Sequence, residues 1–164
     1  MNLFHAKTIV LTATMLLQHS PEEIFPLLCP VKEYDWIEHW KCDLLYSESG
    51  VNELGCIFRT AFPEQEEEVW VTSRWEPSSR VEFVRNGANK VILFSIALEP
   101  TDAGTKLVWS QKLIGITEKG NAMIEAANPE EFSNMVAALE NMIDYYLKHG
   151  AMYRETGAQE DSHR

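Results

Sequence analysis

The stretch Asn128–Gly150, NPEEFSNMVAALENMIDYYLKHG, decides how the rest of the chain is arranged. Asn128 is a helix N-cap by type and Pro129 suits the first helical position. Glu130 and Glu131 then place acid where a helix dipole is positive. Phe132, Met135, Val136, Leu139, Met142, Ile143 and Tyr146 recur at every third or fourth position, so one apolar stripe runs along a helix. Gly150 is a natural terminator, because glycine adopts the left-handed position after a helix at little cost. A long helix with a single apolar face must lie on another layer, and the preceding residues have to supply it.

They supply strands. Thr8–Leu17 places Ile9, Leu11, Ala13, Met15 and Leu17 on one face and Thr8, Thr12 and Thr14 on the other. Behind Lys7 it resembles a signal-peptide core, but its threonines and the lack of a small-residue cleavage motif favour a strand. Further strands are expected at Leu44–Ser49, Cys56–Phe62, Val69–Trp75, Val81–Arg85, Lys90–Leu98 and Thr105–Ile114. In the last two, Ile92, Phe94, Ile96 and Leu98 share one face, and Leu107, Trp109 and Leu113 share another with Gln111. Turns at Pro77-Ser78-Ser79, Asn86–Asn89 and Thr101–Gly104 are short, which implies antiparallel pairing in a meander. The acidic run Glu64–Glu68, broken only by Gln65, is expected to be a solvated hairpin tip. The pattern leaves open which face of strands 56–62 and 69–75 turns inward.

Between the first two strands lies HSPEEIFPLLCPVKEYDWIEHWKC, His19–Cys42. Ser20, Pro21 and Glu23 form a capping-box start, and Pro30 should end that helix near Leu28. A second short helix is expected over Val31–Trp36. The resulting order is a strand, two short helices, about six more strands and one long helix. This is a two-layer α+β arrangement, read as one domain over residues 1–150 with a polar tail over 151–164. A sheet of about seven strands is wider than one helix can seal. A space should remain between the layers, with the two short helices closing its mouth.

Composition narrows the partners. The 164 residues include 14 basic and 25 acidic side chains, for a net charge of −11. That field repels phosphate backbones, so no nucleic-acid partner is expected. No apolar run approaches the ~20 residues of a membrane span. The three cysteines, Cys29, Cys42 and Cys56, are odd in number and show no CxxC spacing, which suits reduced thiols in a cytoplasm. Cys29, His39 and Cys42 are metal-compatible donors, but their spacing matches no common zinc pattern, so no metal site is expected. No nucleophile elbow, HExxH, P-loop or dinucleotide motif is present. No catalytic residue and no cofactor is therefore assigned.

The element order, the segment SPEEIFPLLCPVKEYDWIEHWKC and the downstream GVNELGCIFRT resemble the START/SRPBCC superfamily. Within it the chain looks like small bacterial polyketide cyclase/dehydrase-like and lipid-transport-like proteins. The likeness spans Thr8 to Lys148 by element order. Its sequence-specific part is the first helix, the Glu33–Trp36 segment, Trp40, and the Gly50–Thr60 turn and strand. The fold it implies is the helix-grip, which encloses an apolar cavity between the sheet and the C-terminal helix. What such a fold does is not fixed by the fold itself.

The expected function is binding of a small hydrophobic ligand, lipid-like, acyl or aromatic. Trp36 and Trp40 should close the mouth of the cavity. Phe58, Trp70, Phe83, Phe94 and Trp109 should wall it from the strands, and Met123, Met135 and Leu139 from the C-terminal side. Thr60, Thr72, Arg74 and Gln111 are candidates to orient ligand oxygens, and Glu33 is the acid in the mouth segment with an expected inward role. One alternative is a cyclase or dehydratase, with Arg59 or Arg74 polarising a carbonyl and Glu33 or Tyr34 moving a proton. Another is a chaperone-cofactor-like interaction module using the acidic hairpin or the long helix.

Overall fold

The computed structural model describes residues 3–155. Its strands are β1 Thr8–Leu17, β2 Asp43–Tyr46, β3 Ile57–Thr60, β4 Glu68–Glu76, β5 Arg80–Asn86, β6 Lys90–Thr101 and β7 Gly104–Gly115. Its helices are α1 Pro21–Ile24, α2 Glu118–Glu125 and α3 Pro129–His149. The strands form one antiparallel sheet in the order β1-β7-β6-β5-β4-β3-β2. Strands β2 to β7 follow the expected meander, and β1 closes it by pairing with β7 from Thr8↔Ile114 to Leu17↔Thr105.

Helix α3 lies against β1, burying Phe132, Val136 and Ile143 among core residues that include Leu11, Met15 and Leu17. The alternation expected for β1 therefore faces the helix. Asn128 caps α3 by accepting from the Glu130 amide at 2.9 Å, and Gly150 ends it with φ 66°. Because α3 covers the β1 side, the inner face of β3 to β6 is left to other residues.

The chain between β1 and β2 is tighter than expected. Helix α1 covers only Pro21–Ile24 and continues as a 3-10 turn over Phe25–Leu27; a second 3-10 turn spans Lys32–Asp35. Ser20 Oγ accepts from the Glu23 amide at 3.3 Å, but the Glu23 carboxylate turns to His19 Nδ1 at 3.0 Å instead of closing a capping box.

Helix α2 is absent from the sequence reading. Thr117 caps it, its Oγ1 accepting from the Gly120 amide at 2.9 Å. Gly120 lowers helix propensity, and it sits there because a Cβ would stand 1.8 Å from the Asn89 carbonyl oxygen. The acidic run is also corrected in part. Glu68 is buried at the start of β4, so only part of the run faces water. At the C-terminus, the Glu155 amide reaches Glu38 Oε2 at 3.4 Å. Residues 156–164 of the expected tail lie outside the described residues.

Candidate functional site

A cavity of about 350 Å³ lies between the inner sheet face, α3 and the turns of residues 30–40. That volume sits at the lower end of the roughly 300–1,000 Å³ spanned by small-molecule sites. Its floor is a run of aromatic rings from five strands. Phe58 stacks on Trp70 with centroids 5.0 Å apart, and Phe83 stacks on Phe94 at 5.8 Å. Trp70 meets Phe83 edge-on at 5.7 Å, and Phe94 lies 5.7 Å from Trp109. The period of two along each strand produces this floor, since Phe58, Trp70, Phe83, Phe94 and Trp109 all fall on the buried positions. The inward face of β3 and β4, left open by the sequence, is thus the even-numbered one through Thr72.

The roof comes from the turns after α1. Trp36 is fully buried and its Nε1 donates to the Leu27 carbonyl at 2.9 Å. Trp40 Nε1 donates to the Pro30 carbonyl at 2.8 Å, and its ring lies 5.5 Å from Phe62. Met135 and Leu139 of α3 form the remaining side.

Ten of the expected wall and oxygen-orienting residues therefore line the cavity: Trp36, Trp40, Phe58, Trp70, Phe83, Phe94, Trp109, Gln111, Met135 and Leu139. Four do not. Thr60 is buried beside Trp70, its Oγ1 accepting from Trp70 Nε1 at 2.9 Å, and Thr72 is buried with its Oγ1 donating to Asn52 Oδ1 at 2.6 Å. Arg74 is turned outward by a register shift between Thr72 and Arg74, and its guanidinium pairs with Glu76 at 2.8 Å and Glu82 at 3.1 Å. These partners raise its pKa further. Met123 belongs to α2 and lines a separate depression with Glu64, Glu66 and Lys119.

The proton-transfer arrangement with Arg59 or Arg74 fails for the same reason. Arg59 sits on the outer face of β3 beside Asp43 and Glu67, and Tyr34 Oη bonds the Cys42 backbone. Neither arginine reaches the cavity.

Arg85 does reach it. It follows Val81 and Phe83 at a spacing of two, a signal present in the sequence but not used. Its guanidinium lies 4.2 Å over the Trp70 ring and its Nη2 donates to Glu68 Oε1 at 2.5 Å. Glu68 is buried and Arg85 mostly so, and the cation–π contact adds to the ion pair. Gln111 is 7% exposed and lines the cavity from β7. Glu33 lines it from the roof, and desolvation there raises its pKa to about 8.

Among the described residues no three metal-ligating side chains converge. Cys29 Sγ accepts from the Asn52 amide at 3.3 Å, Cys42 Sγ lies 3.7 Å from the Pro30 carbonyl, and His39 projects into solvent. Burial raises the Cys42 thiol and takes Cys56 to about 11, so neither is a ready thiolate. Among the described residues, no helix is long and apolar enough to cross a membrane.

No family model matches the chain, and no curated protein matches its sequence. Solved structures do match. Protein MLL2253 from Mesorhizobium loti is 19% identical with a TM-score of 0.59, over 84% of this chain and 97% of that one. The Aha1 dimer from Colwellia psychrerythraea matches at 15% identity and TM-score 0.59, over 87% of this chain and 98% of that one. DynU16, a protein of the dynemicin biosynthetic locus, matches at 14% identity and TM-score 0.62. That match covers 87% of this chain but only 48% of DynU16. The sheet, the long C-terminal helix and these neighbours agree.

The fold is the helix-grip.

At these identities the likeness is one of architecture.

Proposed function

We propose that this helix-grip protein binds a small hydrophobic ligand in the cavity between the sheet and α3, as a cytoplasmic module. The observation that carries the reading is the floor of aromatic rings, Phe58, Trp70, Phe83, Phe94 and Trp109, facing about 350 Å³ of space. A packed interior holds few voids larger than a water molecule, and one this large between core layers is suited to a guest. The adaptable side chains of Met135 and Leu139 at one side fit that role.

Native mass spectrometry of gently purified protein tests it, together with a thermal-shift panel of fatty acids, lysolipids, flavonoids and naphthols. The reading expects a mass increment that denaturation removes, or saturable stabilisation by members of the panel. A protein that carries no adduct and is stabilised by none of them overturns it.

A second reading rests on Glu33. Its carboxyl lines the cavity and keeps its proton to about pH 8, which suits a general acid acting on a bound carbonyl compound. Turnover that Glu33→Gln abolishes without weakening ligand binding would support it; an unchanged rate would exclude it.

A further inference from the structure

Few polar groups face the cavity, and most are committed elsewhere. Arg85 is held by Glu68 and covered by the Trp70 ring. Glu38 lies 3.6 Å from His39 and accepts from the Glu155 amide, and His39 is 89% exposed. Gln65 lies on the exposed hairpin. The Gln111 amide and the Glu33 carboxyl line the cavity with no side-chain partner among the described residues, and two donors beside them, Trp109 Nε1 and Arg85 Nε, are also buried without one.

Gln111 stands out because it sits deep. It lies on β7 on the same face as Trp109 and Leu113, opposite Phe94 on β6 and Leu11 on β1, and those four neighbours are all buried. A primary amide offers two donors and one acceptor, and an apolar setting makes each unmade bond costly. Any occupant carrying an oxygen at that point satisfies it.

Charge narrows the class further. The Glu38 carboxyl opposes an anion, and the cation that would receive it, Arg85, already serves Glu68. A cationic occupant would share the cavity with Arg85. The floor presents ring faces, which favour a flat aromatic body.

We infer that the ligand is an uncharged aromatic molecule bearing a carbonyl or hydroxyl oxygen, with its rings on Trp70, Phe83 and Phe94 and its oxygen on the Gln111 amide. This rests on the ligand-binding reading above and narrows it. Fatty acids and other carboxylates are thereby placed outside the preferred class. A protonated Glu33 at neutral pH agrees with an uncharged site.

A charge series on one skeleton tests it: calorimetric titration at pH 7 with naphthalene and the β-isomers of acetylnaphthalene, naphthoate and naphthylmethylammonium. The ketone should bind about three- to tenfold tighter than naphthalene, the worth of one hydrogen bond. Each ion should bind roughly tenfold or more weakly than the ketone, because burying an unpaired charge is costly. In Gln111→Met and Gln111→Leu, with folding checked by circular dichroism, the ketone's advantage should vanish while naphthalene binding persists. Either ion matching the ketone on the wild-type protein overturns the inference without any variant. So does a ketone advantage that survives both substitutions. Naphthalene and the ketone binding equally leaves the cavity a binding site and removes the role of Gln111. No binding by any of the four compounds overturns the inference and counts against the broader reading as well.

Discussion

The indole Nε1 of Trp36 donates to the carbonyl oxygen of Leu27 at 2.9 Å, with the whole Trp36 side chain shielded from water. This bond ties the turn that roofs the cavity to the end of the 3-10 turn after α1. Trp40 makes the corresponding bond to Pro30 but is only half-buried. The two tryptophans thus share a function and differ in what their removal exposes.

Trp36→Phe deletes the donor, leaves the Leu27 carbonyl unpaired and opens space in a packed region. It should lower unfolding free energy by about 2–4 kcal/mol in urea titrations. Trp40→Phe should cost about 1 kcal/mol, near the worth of its hydrogen bond alone. Equal costs at the two positions would mean that the roof is not pinned at Trp36.

Glu33 gives the fold a pH dependence of definite sign. Its carboxyl titrates near 4.5 when solvated and at about 8 in the cavity, so between those values the folded state holds a proton that the unfolded state has lost. Stability therefore falls as pH rises through that window, and below pH 4.5 the residue contributes no difference. Glu33→Gln removes the penalty. It should match wild type in thermal unfolding at pH 4.5 and exceed it at pH 8, by about 2–4 kcal/mol once partial exposure is allowed for. An offset that does not vary with pH would place the Glu33 carboxyl in water.

Gly120 offers a test against helix propensity. In an exposed helix, replacing glycine with alanine stabilises by roughly 1 kcal/mol. Here a Cβ would approach the Asn89 carbonyl oxygen to 1.8 Å, and that oxygen also accepts from the Ile116 amide at 2.9 Å. Gly120→Ala should therefore destabilise by about 2 kcal/mol or more. A higher melting temperature would show that α2 does not press on the 86–89 turn.

Much of this architecture is legible in the sequence because its signals are periodic. The alternation of β1, β6 and β7 and the stripe of α3 each follow from side chains that must share a face. The departures arise where one residue answers to a distant partner. Helix α2 was hidden because Gly120, poor in any helix, is demanded by a contact with Asn89. Arg74 follows Trp70 and Thr72 at a spacing of two and reads as inward until the register shift after Thr72 turns it out. Glu68 reads as part of a solvated acidic run until Arg85, seventeen positions away, is seen to pair with it. The cavity's aromatic floor was accessible to pattern, and so were two of its polar groups, Glu33 and Gln111. Arg85 was not, because it matters through what surrounds it in space.

The most direct test of the central claim is a crystal structure of the protein soaked with β-acetylnaphthalene. The account predicts density for the ring system between Trp70 and Phe94 on one side and Met135 and Leu139 on the other, with the ketone oxygen within hydrogen-bond distance of Gln111. Density confined to the outer surface would contradict it. So would a cavity closed by Met135 and Leu139 packed directly onto Phe94.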